Sequence, residues 1–155
     1  MVARTVAVSS VALLVLAGGL SAEDWSQWRG PDRQAGWTEQ GIVDSLPETL
    51  RLTWSTEIRS GYSGPAVADG RIFISDWLED PESRTLDGTE RALALDELTG
   101  EILWTHEWQT SYRMLSISYA VGPRATPTVD GDRVYVVGGT GRLFCFDVEN
   151  GDVLW

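Results

Sequence analysis

From residue 64 onward, apolar positions come in short runs that alternate with polar ones or are rich in β-branched and aromatic residues, and tight glycine-bearing turns separate them. Gly64–Ala68, Arg71–Asp76, Arg91–Asp96 and Glu101–Trp108 form a first set of four such runs. Arg124–Val129, Arg133–Val137, Arg142–Asp147 and Asp152–Trp155 form a second. Period-two patterning bounded by "ADG", "ELTG", "DGD", "GGTG" and "ENG" predicts strands joined by hairpin turns. No stretch after residue 22 carries a helical period, so the predicted class is all-β. The stretch Asp76–Glu90 reads as an insertion between the second and third strands of the first set, and Gln109–Arg124 as a long connection between the sets.

The two sets are copies of one another. A shift of 51 residues places Asp96 on Asp147, Gly100 on Gly151, Leu103 on Leu154 and Trp104 on Trp155. "PAVADGRIFI" (Pro65–Ile74) aligns without gaps on "PTVDGDRVYV" (Pro127–Val136). Trp54, 50 residues before Trp104, marks the end of an earlier copy. Four-strand units repeating at about 50 residues are the blades of a β-propeller. The division that follows is a lead segment over 23–49 and a partial propeller over 50–155, with blades at about 64–108 and 124–155. Propellers close with about 4–8 blades, which at this repeat length needs roughly 200–400 residues, so the sequence is expected to be part of a longer one.

A fixed Asp, Gly and Trp suggest one recurring contact. The Trp belongs to the outermost strand, where its indole can lie against the next blade. The Asp and Thr side chains can bond nearby turn amides. The Gly lets the chain reverse and leaves room for the indole, as a small Ala does on the neighbouring strand. A-x-D-x-x-T-G-x-x-x-W, formed here by Ala94, Asp96, Thr99, Gly100 and Trp104, resembles the tryptophan-docking motif of the PQQ-like propellers. That superfamily includes the quinoprotein alcohol dehydrogenases and the outer-membrane assembly factor BamB. The second copy keeps Asp147, Gly151 and Trp155, with Asn150 in place of Thr and Cys145 in place of Ala. "WSQWRGPDRQAGW" (Trp25–Trp37) and "GPRATPTVDGDRVYVVGGTGRLFCFD" (Gly122–Asp147) are similar to segments of secreted bacterial members. Kelch repeats fit the Trp spacing less well, and WD40 repeats lack their Gly-His and Trp-Asp pairs here.

Composition narrows the function. Twenty-three acidic residues stand against twelve basic ones, giving a net charge of −11, which disfavours a nucleic-acid or anionic-membrane surface. All twelve basic residues are arginine. Arg4, the apolar run Thr5–Leu16 and the small residues up to Ala22 predict a cleaved signal peptide over 1–22. The mature chain is then periplasmic or secreted, beginning near Glu23 and retaining no stable transmembrane segment.

Candidate chemistry is sparse. The resemblance implies, for the dehydrogenases, a catalytic Asp, calcium ligands, an adjacent Cys–Cys disulfide and a stacking Trp. Cys145 is the single cysteine and His106 the single histidine, so no catalytic residue, cofactor-binding residue or metal ligand can be assigned here. PQQ with calcium is implied only for a full-length quinoprotein. "DWLEDPE" (Asp76–Glu82) lacks a calcium-loop spacing and is expected to be a solvated acidic loop. His106 is expected at a blade edge or in solvent. Both long segments are expected at one end of the blades, where Tyr112, Arg113, Tyr119 and Arg124 form a candidate recognition face. The favoured function is a non-catalytic scaffold or binding module in the cell envelope, with a protein or polymer partner. The alternative is a PQQ- and calcium-dependent quinoprotein oxidoreductase whose active-site residues lie downstream.

Overall fold

The computed structural model describes residues 22–41, 43–114 and 120–155. The expected signal peptide, apart from Ala22, and the candidate Tyr119 lie outside these residues. Seven strands form two antiparallel sheets. The first contains β1 (Ala66–Ala68), β2 (Arg71–Glu79), β3 (Asp87–Asp96) and β4 (Ile102–Ser111), in that spatial order. The second contains β5 (Thr128–Asp130), β6 (Arg133–Val137) and β7 (Leu143–Asp147). Each sheet is a meander of strands adjacent in sequence, the arrangement of a propeller blade.

The β2–β3 hairpin is longer than its sequence suggests. The stretch Asp76–Glu90, expected as an insertion loop, continues the ladder from Arg71↔Asp96 out to Glu79↔Gly88. Only the tip, 80–86, is irregular. Strand β4 extends with it, pairing Ser111 with Asp87. The second blade differs at its outer edge. Asp152–Trp155, expected as a full fourth strand, is held by a single bridge, Phe146↔Val153, and by bonds between Cys145 and the backbone of Leu154 and Trp155.

The first sheet is covered on both faces, which explains the unbroken apolar run "ALAL". On one face Phe73, Ala92, Ala94, Trp104 and Trp108 meet Val129, Val134, Val136, Phe146 and Val148 of the second blade. On the other, Leu93 and Leu95 are buried, and the segment around Trp54–Ser60 lies across that side. Alternating positions on β4 follow this division: Trp104 and Trp108 are buried between exposed neighbours, and Thr110 is buried beside exposed Gln109.

Each docking indole fastens one unit to the next. Trp104 Nε1 donates to Val148 O (2.9 Å), while the Trp54 indole donates to Glu97 O (2.9 Å). Val148 and Glu97 are equivalent positions under the 51-residue shift. The receiving turns are built alike. Asp96 Oδ1 accepts from the Leu98 and Thr99 amides and from the Thr99 hydroxyl. Asp147 Oδ1 accepts from the Glu149 and Asn150 amides. These bonds, the Thr99 amide foremost, hold the Asp96 carboxyl below its ordinary pKa. In both turns the glycine amide bonds back to the aspartate carbonyl, Gly100 to Asp96 (2.8 Å) and Gly151 to Asp147 (3.0 Å).

Glycine is required in these turns for two reasons. Gly151 has φ +74°, and a Cβ there would lie 2.6 Å from Trp104 Cδ2; at Gly100 a Cβ would lie 2.4 Å from Trp54 Cε3. The close approach leaves room for nothing larger. Ala94 is fully buried at the seam, and Cys145, at the equivalent position of the second sheet, is also fully buried. Trp155 has no receiving turn among the described residues and is 58 % exposed, with its ring 6.1 Å from Tyr135.

Burial of the Trp104 indole removes about 150–250 Å² from water, roughly 4–6 kcal/mol as an upper estimate. Trp104→Ala is therefore expected to destabilise the protein by about 3–5 kcal/mol in denaturant titration. A sharper comparison uses two glycines with positive φ. A Cβ added at Gly70 (φ +71°) would meet nothing within 4 Å, whereas one at Gly151 meets the indole. Gly70→Ala should cost only the left-handed backbone penalty, about 1–2 kcal/mol, and Gly151→Ala distinctly more. Equal costs would remove the indole from the account.

Candidate functional site

The two ends of the first blade are unlike. At one end the tight turns meet, with the Glu97 amide bonded to Gly70 O (3.0 Å). At the other the long segments meet, with the Tyr112 amide bonded to Leu86 O (2.9 Å). The candidate site is at this second end, where the blade seam opens.

Its foundation is a buried carboxylate. Glu90 is fully buried on β3, on the face turned towards the second blade. Its Oε2 accepts from Trp108 Nε1 (2.7 Å), and its Oε1 accepts from the Gly139 amide (2.9 Å) and the Tyr112 hydroxyl. Three donors from two blades thus converge on one side chain, the satisfaction that a buried charge requires. Burial, followed by the adjacent Glu90, raises the Tyr112 pKa far above its ordinary value, so the phenol remains a donor. Trp77 packs edge-on against Tyr112 at 5.2 Å.

Glycines admit the network. A Cβ at Gly138 would lie 2.5 Å from Glu90 Oε2, and one at Gly139 would lie 2.2 Å from the Tyr112 hydroxyl. Gly88 similarly gives way to Trp77, whose Nε1 would be 2.6 Å from a Cβ there.

Above this floor is a cleft of about 440 Å³ lined by Ser111, Tyr112, Arg113, Met114, Gly139 and Thr140. It adjoins a second hollow of about 410 Å³ that shares Ser111 and Thr140 and adds Asp87, Gln109, Thr110 and Arg142. The Thr110 and Thr140 hydroxyls bond across the seam at 3.2 Å. Arg113 is exposed, Met114 is 88 % exposed, and hydrogen bonds led by Ser111 lower the Asp87 pKa. The result is a groove running over two blades, with Asp87, Arg113 and Arg142 placing charges of both signs along a largely apolar lining.

The expected recognition residues separate. Arg113 lines the groove. Tyr112 forms part of its wall, but the side chain is buried and its hydroxyl is committed to Glu90, which corrects its place on an open face. Among the described residues Arg124 forms no ion pair with a carboxylate and does not line the groove. Its guanidinium donates to Ala120 O and lies 5.3 Å from the Tyr62 ring.

Two further corrections concern acids and histidine. Asp76 is not part of a solvated loop: it is buried and forms a paired contact with Arg91 (2.7 and 2.9 Å), while also accepting from the Arg59 amide. Glu79, Asp80 and Glu82 are exposed. His106 lies inside the seam, its ring 5.0 Å from Phe146 and 5.5 Å from Phe144. Burial lowers its pKa below the ordinary 6.5.

A family model described as the outer membrane protein assembly factor BamB matches residues 37–155. The chain belongs to this family. BamB of Shewanella oneidensis is 26 % identical over 149 residues, covering 91 % of this chain and 35 % of that protein. The chain therefore spans about a third of the length of this relative. Among solved structures, BamB from Moraxella catarrhalis is similar with a TM-score of 0.46 and 22 % identity, over 66 % of this chain and 26 % of that one. Family membership and the two antiparallel meanders joined through docking indoles make this part of a PQQ-like β-propeller.

No three Asp, Glu, His or Cys side chains among the described residues converge to hold a metal. Glu90 and Asp76 are already satisfied, and the lone thiol of Cys145 is buried in the core.

Glu90→Gln keeps the shape but places an amide donor against other donors. It should destabilise the fold by roughly 2–4 kcal/mol in denaturant titration, with near-ultraviolet dichroism reporting loosened Trp108 and Tyr112. His106 gives a pH dependence of defined sign. Its folded pKa is depressed, so its contribution is complete above pH 6.5 and declines as pH falls through the folded value. Thermal stability should drop as pH is lowered below 6.5, and His106→Phe should flatten that part of the profile.

Proposed function

We propose that this BamB-family chain is part of an exported propeller that acts without catalysis, holding a protein partner in the cell envelope through the groove at its long-loop end. The observation that carries the reading is the groove's construction. Arg113 and Met114 are exposed above a wall that the Glu90 hub fixes across two blades. Loops on a rigid frame are where propellers and other scaffolds present binding surfaces. The relatives' name, outer membrane protein assembly factor, supports a protein rather than a small-molecule partner. The N-terminal charge and apolar pattern supports export to the periplasm or beyond.

Site-specific photocrosslinking in intact cells tests this. A photoreactive residue replacing Met114 or Arg113 in the intact protein should form adducts with an envelope protein. The same residue at Leu98, 80 % exposed at the tight-turn end, should not. Adducts only at Leu98, or none at the groove, would overturn the assignment.

A further inference from the structure

The lead segment builds a second surface that shares no residue with the groove. Its first part adds to the inner edges of both blades. The Trp25 amide and carbonyl exchange bonds with Val67 of β1 (2.8 and 2.9 Å), and Ser26 O accepts from the Val129 amide of β5 (2.8 Å). The chain then folds into a compact loop closed by its own bonds, Arg33 N to Gly30 O (3.0 Å) and Ala35 N to Arg29 O (2.8 Å). Arg29, Arg33 and Ala35 all hold positive φ, at 68°, 61° and 57°. Such conformations persist only where surrounding structure enforces them.

This loop and Thr128 of β5 enclose a hollow of about 330 Å³ lined by Gln27, Trp28, Arg29, Arg33 and Thr128. Arg33 Nε donates to Gln27 Oε1 (2.9 Å), and Gln27 Nε2 donates to Pro31 O (2.8 Å), so the fork is aimed by its neighbours. Arg29 lies 5.5 Å from the Trp28 ring. Among the described residues neither guanidinium meets a carboxylate, although the chain carries 23 acidic residues. Trp28 is 67 % exposed.

We propose that this hollow binds a saccharide bearing a single carboxylate, as a terminal uronate does. The Arg33 guanidinium, aimed by Gln27, and the Arg29 guanidinium beside the Trp28 ring supply the paired donors that a planar carboxylate takes. The open indole supplies a flat apolar surface for the C–H face of a pyranose ring. Gln27 and Thr128 supply neutral groups that can bond ring hydroxyls. The net charge of −11 repels a long polyanion, which favours one terminal acid over a densely charged tract.

Calorimetric titration of the intact mature protein with glucuronosyl-xylose, its methyl ester and acetate tests the assignment. The free acid should bind, and the ester should bind about tenfold more weakly, through loss of the charge-assisted contact. Arg29→Gln should reproduce that loss; Arg29 makes no side-chain hydrogen bond in the loop, so the variant keeps the fold, which thermal melting checks. Trp28→Ala should remove the preference for the disaccharide over acetate. Absence of acid binding, or equal binding by Arg29→Gln, would overturn the proposal. Equal or tighter binding of a short peptide with a free C-terminal carboxylate would overturn it too, pointing to a protein ligand at this loop. None of these outcomes depends on the groove, whose partner is read by crosslinking at Met114.

Discussion

Contact between an indole and the backbone of a glycine turn is the constraint on which the two-blade arrangement depends. Trp104 lies so close to Gly151 that any side chain there would overlap it, and its Nε1 bonds the carbonyl of Val148. The contact combines apolar burial with a directional hydrogen bond, so it sets both the distance and the rotation between blades. The turn is shaped in advance by Asp147, whose carboxylate gathers the amides of Glu149 and Asn150. Repeating the same device at Trp54 and Gly100 makes each unit contact its neighbour in the same way.

The opposite end of the seam uses a different chemistry. There the fastening is the Glu90 carboxylate, shared by Trp108, Tyr112 and Gly139. The indole contact fixes the seam with one hydrogen bond and close packing, whereas here three donors converge on one buried side chain, and losing any of them leaves a buried polar group unpaired. The groove therefore lies above the most narrowly specified part of the seam. That placement suits a surface whose side chains must be held in register across two blades.

Much of the blade pattern was legible because it rests on local rules. Turn glycines, the Asp and Thr of the docking turn and the period-two strands announce themselves within a few residues. The long β2–β3 hairpin did not, because its outer part mixes acids with Trp77 and Gly88 and resembles a polar insertion. Its strand identity comes from pairing with β4, a non-local fact. Asp76 and Glu90 were hidden for the same reason: an acid in a polar stretch ordinarily faces water, and only Arg91, Trp108 and Tyr112 reveal otherwise. One clue was available. Glu90 shares its strand face with Ala92 and Ala94, so alternation points it inwards once β3 is extended beyond Arg91. His106 follows the same alternation between Trp104 and Trp108. The lead segment offered no period, and its loop becomes visible only through its bonds to β1 and β5.

Those bonds have a consequence for the order of folding. Ser26 accepts from Val129, roughly a hundred residues later in the chain, while Trp25 pairs with Val67. A chain emerging from its N-terminus makes the lead segment first, yet that segment cannot complete its contacts until β5 has formed. Closing so long a loop is slow compared with forming a local hairpin. During synthesis, Trp25 and its neighbours wait with unpaired backbone and an uncovered indole. The lead segment, made before either blade, is thus among the last parts to settle, and it is the part most dependent on protection from premature pairing.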